Sequence, residues 1–387
     1  MVGVAAVLFM PGLHYTAGVF RVTQQPSDSL AQARALYMQN KLAEALPMFQ
    51  AVAAREPNNA DAHAWVAETA RRLRDFERSA EAARTALRLA PCHAFAHNVL
   101  GDLYRPQWSD WQKANADSAW THLLRATACD STDGNPWTGI WGEALRRGDT
   151  SMEATALRRM IETNFLPPSV LAYGRWFLRG LPENAVLLTA GDVDTWGVLA
   201  VQTVQRYRTD VAVVNTSLLN LDWYPKLMSE RHRLPLTAPT QTPGGVSETI
   251  VSALRVRSVT GLLRRPLAAT MPQPSGPGWF AFAGSYWVLT KRDTIADTTV
   301  IRRAFAGVHG AEFALPVVSS KDRSPVRRKS WIPETVVVAA FRYAAILRGA
   351  GRESDATRME AWARAFGGEA ALSSDSLNYL HQLVLEH

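Results

Sequence analysis

Asp192, Asp194 and Thr195 follow one short apolar run, and Asn220 and Asp222 follow a second. Carboxylates, amides and hydroxyls at this density can hold a sugar by its hydroxyls or a cation by its charge. Two carboxylates facing each other across a pocket could also share acid and base roles in glycosyl transfer or hydrolysis. The run Gly191-Asp192-Val193-Asp194-Thr195 has no histidine beside it and too few carboxylates for a closed calcium loop. It therefore sets no metal signature, and no cofactor is expected. The same residue types also serve helix starts: Asp194 or Thr195 as an N-cap, and Asp192 as a charge offsetting the macrodipole.

The elements that position these residues follow from the flanking pattern. Ala185 to Thr189 is a short apolar run, a helix-period segment reaches about Tyr207, and Val211 to Val214 is a second apolar run. Strand, loop, helix and strand in that order form a βαβ unit, and continuous β-branched runs suit parallel strands covered on both faces. A right-handed crossover brings both strand ends to one edge of the sheet, where open α/β sheets place ligands. The five polar residues are expected in one pocket at that edge.

LPENAVLLTAGDVDTW and YRTDVAVVNTSLLNLDWY, from Leu181 to Tyr224, resemble the soluble region that follows the membrane spans in multi-span protein O-mannosyltransferase-like proteins. The likeness continues more loosely through Val259–Leu267 and Trp279–Leu289. It departs at Val193 and Trp196, where the family pattern has Asn and Phe, and at Ala283-Gly284-Ser285, where it has Leu-Glu-Gly. That family's catalytic acids belong to its membrane-spanning half, which has no counterpart in this sequence. The resemblance implies a Rossmann-like α/β fold and an extracytoplasmic association rather than the transferase reaction.

Upstream the chain repeats. Ala45, Phe49, Val52 and Pro57 are followed 34 residues later by a second proline, Pro91, preceded by Ala83 and Ala86. Leu100-Gly101-x-x-Tyr104 is a first-helix signature in which glycine lets paired helices approach. An insertion around Pro106–Ser109 delays the next helix to Ala119, Leu123 and Ala126, and a fourth unit shows Trp141-Gly142, Gly148, Ala154 and Ile161. A 34-residue period with small crossing residues is the pattern of tetratricopeptide (TPR) repeats. Such arrays bind protein faces along the first helices of their hairpins. His63, Trp65, His97 and Asn98 fall on those helices, and Trp108 and Trp111 lie in the insertion, so these six are candidate protein contacts.

A linking helix spans about Ser169–Arg179, and helices cover about 224–233 and 247–255. A strand pair is expected over Val259–Met271 and a strand over Trp279–Leu289. Paired basic residues near their ends, such as Arg264-Arg265, suggest solvated ends or an anion-facing rim. Helices from Pro333 to Arg348 and on to Phe366 form a hairpin, with a last helix from Ser374.

Composition bounds the remainder. Of 387 residues, 47% are hydrophobic and 20% charged, an ordinary globular balance, and the net charge is +7. Residues 226–303 hold 11 basic and 4 acidic residues, so the excess belongs to one subregion. There is no basic-aromatic motif, and arginine is scattered, so nucleic acid is not expected as a partner. Residues 1–20 carry no charged side chain and approach one bilayer's length of helix, which points to a membrane anchor or signal. Cys92 and Cys129 form no framework and no Cys-x-x-Cys, and read as small buried hydrophobes. The sequence lacks a P-loop, a G-x-G-x-x-G, a nucleophile elbow and an H-E-x-x-H.

The expected architecture is thus α + α/β. An apolar segment (1–26) precedes a TPR-like α-solenoid (27–166), a linking helix (167–180), a Rossmann-like α/β domain (181–320) and C-terminal helices (321–387) closing in a hairpin. The expected function is a non-catalytic, membrane-associated scaffold that grips a protein partner, itself a membrane protein or complex. The periplasmic side is favoured and the cytoplasmic side left open. A carbohydrate-binding or glycosyl-transfer role at the acidic rim is the alternative.

Overall fold

A computed structural model describes residues 26–107, 109–236, 245–271, 276–292, 298–305 and 332–385. The chain divides into two compact units, residues 1–89 and 90–387. The apolar segment 1–20, Trp108 and the basic stretch 322–330 lie outside the described residues. Among the described residues no helix is long and apolar enough to cross a membrane.

The first unit holds two helical hairpins, α1 (Pro26–Met38) with α2 (Leu42–Arg55) and α3 (Ala60–Arg72) with α4 (Phe76–Leu89). Ala45, Phe49 and Val52 of α2 and Ala80, Ala83 and Ala86 of α4 are buried, as a 3.6-residue apolar stripe requires. Asn59 caps α3 by accepting from Ala62 N at 3.1 Å. This is a TPR-like helical repeat.

The second unit opens with two more hairpins, α5 (Ala94–Tyr104) with α6 (Ala116–Cys129) and α7 (Pro136–Arg147) with α8 (Thr150–Glu162). Leu123 of α6 is fully buried between two glycines: a Cβ at Gly101 or Gly139 would lie 2.7 or 2.8 Å from its side chain. In α8 the buried stripe is Glu153, Ala156, Leu157 and Met160; Ala154 and Ile161 are only partly buried.

Cys92 and Cys129 are joined in a disulfide across a sequence separation of 37. This corrects the reading of both as buried hydrophobes: Cys92 is exposed and Cys129 partly so. The reason is topological. One cysteine precedes α5 and the other ends α6, so the antiparallel hairpin brings them together, with Cα atoms 5.2 Å apart.

After α9 (Pro168–Gly180) comes the expected unit of β1 (Val186–Thr189), α10 (Asp192–Gln205) and β2 (Ala212–Asn215). β1 and β2 pair in parallel, with Val186 opposite Ala212 and Thr189 opposite Asn215. A 3₁₀ turn (Ser217–Asn220), α11 (Tyr224–His232) and α12 (Val246–Val259) lead to β3 (Leu267–Ala269), parallel to β1 on its other side. The expected strand pair over 259–271 is therefore a helix end, a turn at Gly261 and one short strand.

Trp279–Leu289 is likewise not one strand but a hairpin, β4 (Trp279–Phe282) and β5 (Trp287–Thr290). Gly284 turns it at φ +101°, a left-handed conformation suited to glycine. The sheet order is β2-β1-β3-β5-β4, three parallel strands extended by two antiparallel ones. A short helix α13 (Thr298–Ala304) packs on α9, and α14 (Ile332–Gly349), α15 (Glu353–Glu369) and α16 (Ser374–Leu385) complete the chain.

Arginine holds much of this together. Arg208 donates to the carbonyls of Leu178, Leu181 and Pro182 at 2.7–2.8 Å. Arg255, 3% exposed, donates to those of Gly276, Pro277 and Gly278. Arg265 reaches Asn184, Ala185, Asp210 and His232. A planar fork of five donors satisfies several loop carbonyls at once, which an ammonium cannot do in one plane. Part of the basic excess is therefore internal stapling.

Candidate functional site

Asp194 and Thr195 lie in the first turn of α10 and are 1% and 2% exposed. Asp194 accepts from Gly191 N (2.8 Å), from Ala190 N (3.0 Å) and from the Thr270 hydroxyl (2.6 Å). It thus closes the start of α10 and ties the end of β1 to the end of β3. Thr195 donates to the Gly191 carbonyl at 2.6 Å and accepts from Asn215 Nδ2 at 2.9 Å. Its oxygen also lies 2.7 Å from the Thr189 hydroxyl. These are the bonds of a helix start and a strand-end latch.

The other three residues stand apart from that latch. Asp192 is exposed in the first turn of α10. Asn220 is exposed at the end of the 3₁₀ turn, where its Oδ1 accepts from Ser247 N at 3.1 Å. Asp222 is exposed and borders a separate depression beside Lys226 and Glu230. Thr195 borders a third cavity, of about 360 Å³, that also contains Glu153, Arg231 and His232. Glu153 and Arg231 form a two-pronged ion pair there, at 2.7 and 2.9 Å. Burial, reinforced by Arg231 and Arg265, pushes the His232 imidazole down to about 4.

Of the five, Asp194 alone lines a cleft of about 580 Å³ at the carboxyl ends of β1 and β3. Its walls are the Ala190-Gly191 turn, Thr270 and Met271 after β3, Phe282 and Trp287 of the hairpin, and α14. Trp176 of α9 contributes as well, its indole donating to the Ala304 carbonyl at 2.9 Å. From α14 come Glu334, Thr335, Val338, Ala339 and Arg342, two helical ridges four residues apart. Arg342 lies over the Trp287 ring with its guanidinium carbon 5.1 Å from the centroid, and burial lowers its pKa.

Sequence reasoning identified α14 as a helix but missed its role. Glu334, Val338 and Arg342 fall at i, i+4 and i+8, a signal in hindsight for one shared face. Nothing in the sequence says what that face meets.

The candidate protein contacts divide by unit. In the first, His63 Nε2 lies 3.0 Å from the Pro57 carbonyl. Trp65 stacks on Phe49 at 5.5 Å, meets Tyr37 edge-on at 5.2 Å and carries the Arg34 guanidinium at 5.1 Å, while remaining partly exposed. In the second, His97 and Asn98 are buried. His97 Nδ1 is 2.9 Å from His122 Nδ1, and burial lowers its pKa. Trp111 is 6% exposed against Tyr104, so its ring packs inward.

Fold and site together describe TPR-like helical hairpins and a mixed five-stranded sheet whose carboxyl edge opens into a cleft. Residues 170–241 match the family model described as TMEM260-associated domain 2, which takes in most of α9, the β1–α10–β2 unit and α11. Two solved structures are similar to this chain. One, titled as a MamA double mutant, is 16% identical, covering 36% of this chain and 75% of that one at a TM-score of 0.30. The other, titled as the MamA protein, is 12% identical, covering 56% and 98% at a TM-score of 0.31. No curated protein sequence matches the chain.

Proposed function

We propose that this protein is a non-catalytic scaffold that binds a protein partner through its helical hairpins, at a membrane and on its extracytoplasmic side. The observation that carries the reading is the partly exposed Trp65, held on a first helix between Arg34, Tyr37 and Phe49. Rigid aromatic anchors beside arginine dominate protein interfaces, while their surroundings mainly exclude water. Tyr37 donates to Glu68 at 2.7 Å and accepts from Arg72 at 3.2 Å, so the anchor is fixed before any partner arrives. The apolar, uncharged run 1–20 supports placement at a membrane, and the Cys92–Cys129 disulfide supports an oxidising compartment. The parallel half of the sheet, with its α10 crossover, supports a Rossmann-like reading of that part of the chain. The partner is read as a membrane protein or complex.

Affinity purification from membranes in mild detergent tests this. A stable membrane partner should come with the full chain. Trp65→Ala should weaken it by about 2 kcal/mol, roughly thirtyfold, without lowering the melting temperature of the second unit. Recovery of the chain free of any partner from the membrane fraction would overturn the scaffold.

A second reading, a carbohydrate-binding or glycosyl-transfer-related role, is favoured by one observation: a second carboxylate, Glu334, lines the same cleft as Asp194. Titration with simple glycosides and nucleotide sugars is its test.

A further inference from the structure

We propose that the cleft at the carboxyl ends of β1 and β3 binds a short zwitterionic peptide, a di- or tripeptide with apolar side chains. Its carboxylate pairs with Arg342 and its ammonium with Glu334. This goes beyond the scaffold reading and does not depend on it.

Three polar groups in the cleft each keep a buried atom with no hydrogen-bond partner among the described residues: Arg342 Nε, Glu334 Oε2 and Ser285 Oγ. Ser285, 5% exposed, sits in the turn between β4 and β5. Polar groups this enclosed are normally paired. Asp194 differs, because its carboxylate already accepts three hydrogen bonds. The groups left over are one cation, one anion and one hydroxyl.

That set selects a ligand class. A simple anion would answer Arg342 and leave Glu334 facing a like charge; a simple cation would do the reverse. A neutral polyol would leave both formal charges unmatched. A zwitterion satisfies both, and the Ser285 hydroxyl is available to a peptide group between them.

Spacing sets the length. Residues 334 and 342 lie two turns apart on one face of α14, about 12 Å along the axis. Extended chain covers about 3.5 Å per residue, so two or three residues reach between the charges. The walls set the side chains: Trp176, Phe282 and Trp287 are aromatic, and about 580 Å³ is ample for such a ligand. Burial already depresses the Arg342 pKa, a cost that a carboxylate partner removes.

Isothermal titration of the full chain with a panel of apolar di- and tripeptides, leucyl-phenylalanine among them, tests the proposal. For the best binder, the N-acetylated and the C-amidated forms should each bind at least tenfold more weakly. Arg342→Gln should weaken the free peptide at least tenfold and leave the amide unchanged. Glu334→Gln should do the same for the free peptide and leave the N-acetyl form unchanged. Thermal melts of both variants confirm that they fold. The proposal is overturned if capped and free peptides bind equally, if a methyl glycoside binds and no peptide does, or if nothing in the panel binds. The scaffold reading survives each of those outcomes, since its partner capture is measured separately.

Discussion

The hydroxyl of Thr195 donates once, to Gly191, and accepts from Asn215, with Thr189 also in reach. That saturation explains why a residue type suggestive of ligand chemistry serves the fold here. The sequence window was legible as polar and as a strand end, but the partners of each group come from β2 and β3, which spacing cannot assign. His232 is a sharper case, since its pKa is pushed down to about 4 from an ordinary 6.5, with burial the main cause. The unfolded chain takes up the proton below about 6.5 and the folded chain only below about 4. Stability from the neutral imidazole is therefore whole above pH 6.5 and is lost as pH falls toward 4. Discounted for partial solvent access, the loss is about 2 kcal/mol. His232→Gln should flatten that part of the acid limb in urea titrations at pH 7, 5.5 and 4.5. Asp210, held at about 2 chiefly by its hydrogen bond from Arg208, acts in a separate and lower window. Equal losses in wild type and variant between pH 7 and 4.5 would refute the assignment.

Among the described elements, α9 and α10 meet backbone to backbone. A Cβ at Gly174 would lie 2.4 Å from the Gly197 carbonyl oxygen, and one at Gly197 would lie 3.0 Å from the Val170 carbonyl oxygen. Backbone meets backbone, so no side chain can move aside. Gly174→Ala should cost about 3 kcal/mol by chemical denaturation, at the upper end for an overpacked contact. Gly368→Ala in α15, with nothing within 4 Å of the added atom, should be neutral or stabilise by about 0.5 kcal/mol through helix propensity. Similar effects at the two sites would mean that α9 and α10 can part freely. Helices were the legible elements because the 34-residue period and the 3.6-residue stripe are local signals. The β4–β5 hairpin was not, because its turn lacks the Asn-Gly or Asp-Gly dipeptide that announces one, and Ala283-Gly284-Ser285 read as part of a strand. The disulfide was missed because sequence spacing does not reveal that the start of α5 and the end of α6 lie side by side. The cleft was missed because its charged wall is α14, far along the chain from the Asp194 turn.

At the scale of the whole molecule, the covalent link between Cys92 and Cys129 bears on where the protein lives. Two cysteines far apart in sequence and joined across a helical hairpin make a structural cross-link, and cross-links of this kind persist in oxidising compartments. Closing a loop with a sequence separation of 37 removes unfolded-state entropy worth about 4 kcal/mol in the chain-entropy account. At roughly 2–4 °C per kcal/mol for a unit of this size, reduction should lower the melting temperature of the second unit by about 10 °C. Cys92 is exposed, so a reductant reaches the bond without prior unfolding. The disulfide makes a direct prediction: chain exported from the cytoplasm carries the bond, and chain retained in a reducing cytoplasm does not. Thiol alkylation before lysis, followed by mass spectrometry and a thermal melt, reads both quantities on the same sample. The exported chain should resist alkylation and melt about 10 °C above a Cys92→Ser, Cys129→Ser double variant, while cytoplasmic chain should be alkylated and melt with the variant. Alkylated cysteines in exported, folded chain would remove the compartment argument, and with it the strongest support for an extracytoplasmic scaffold.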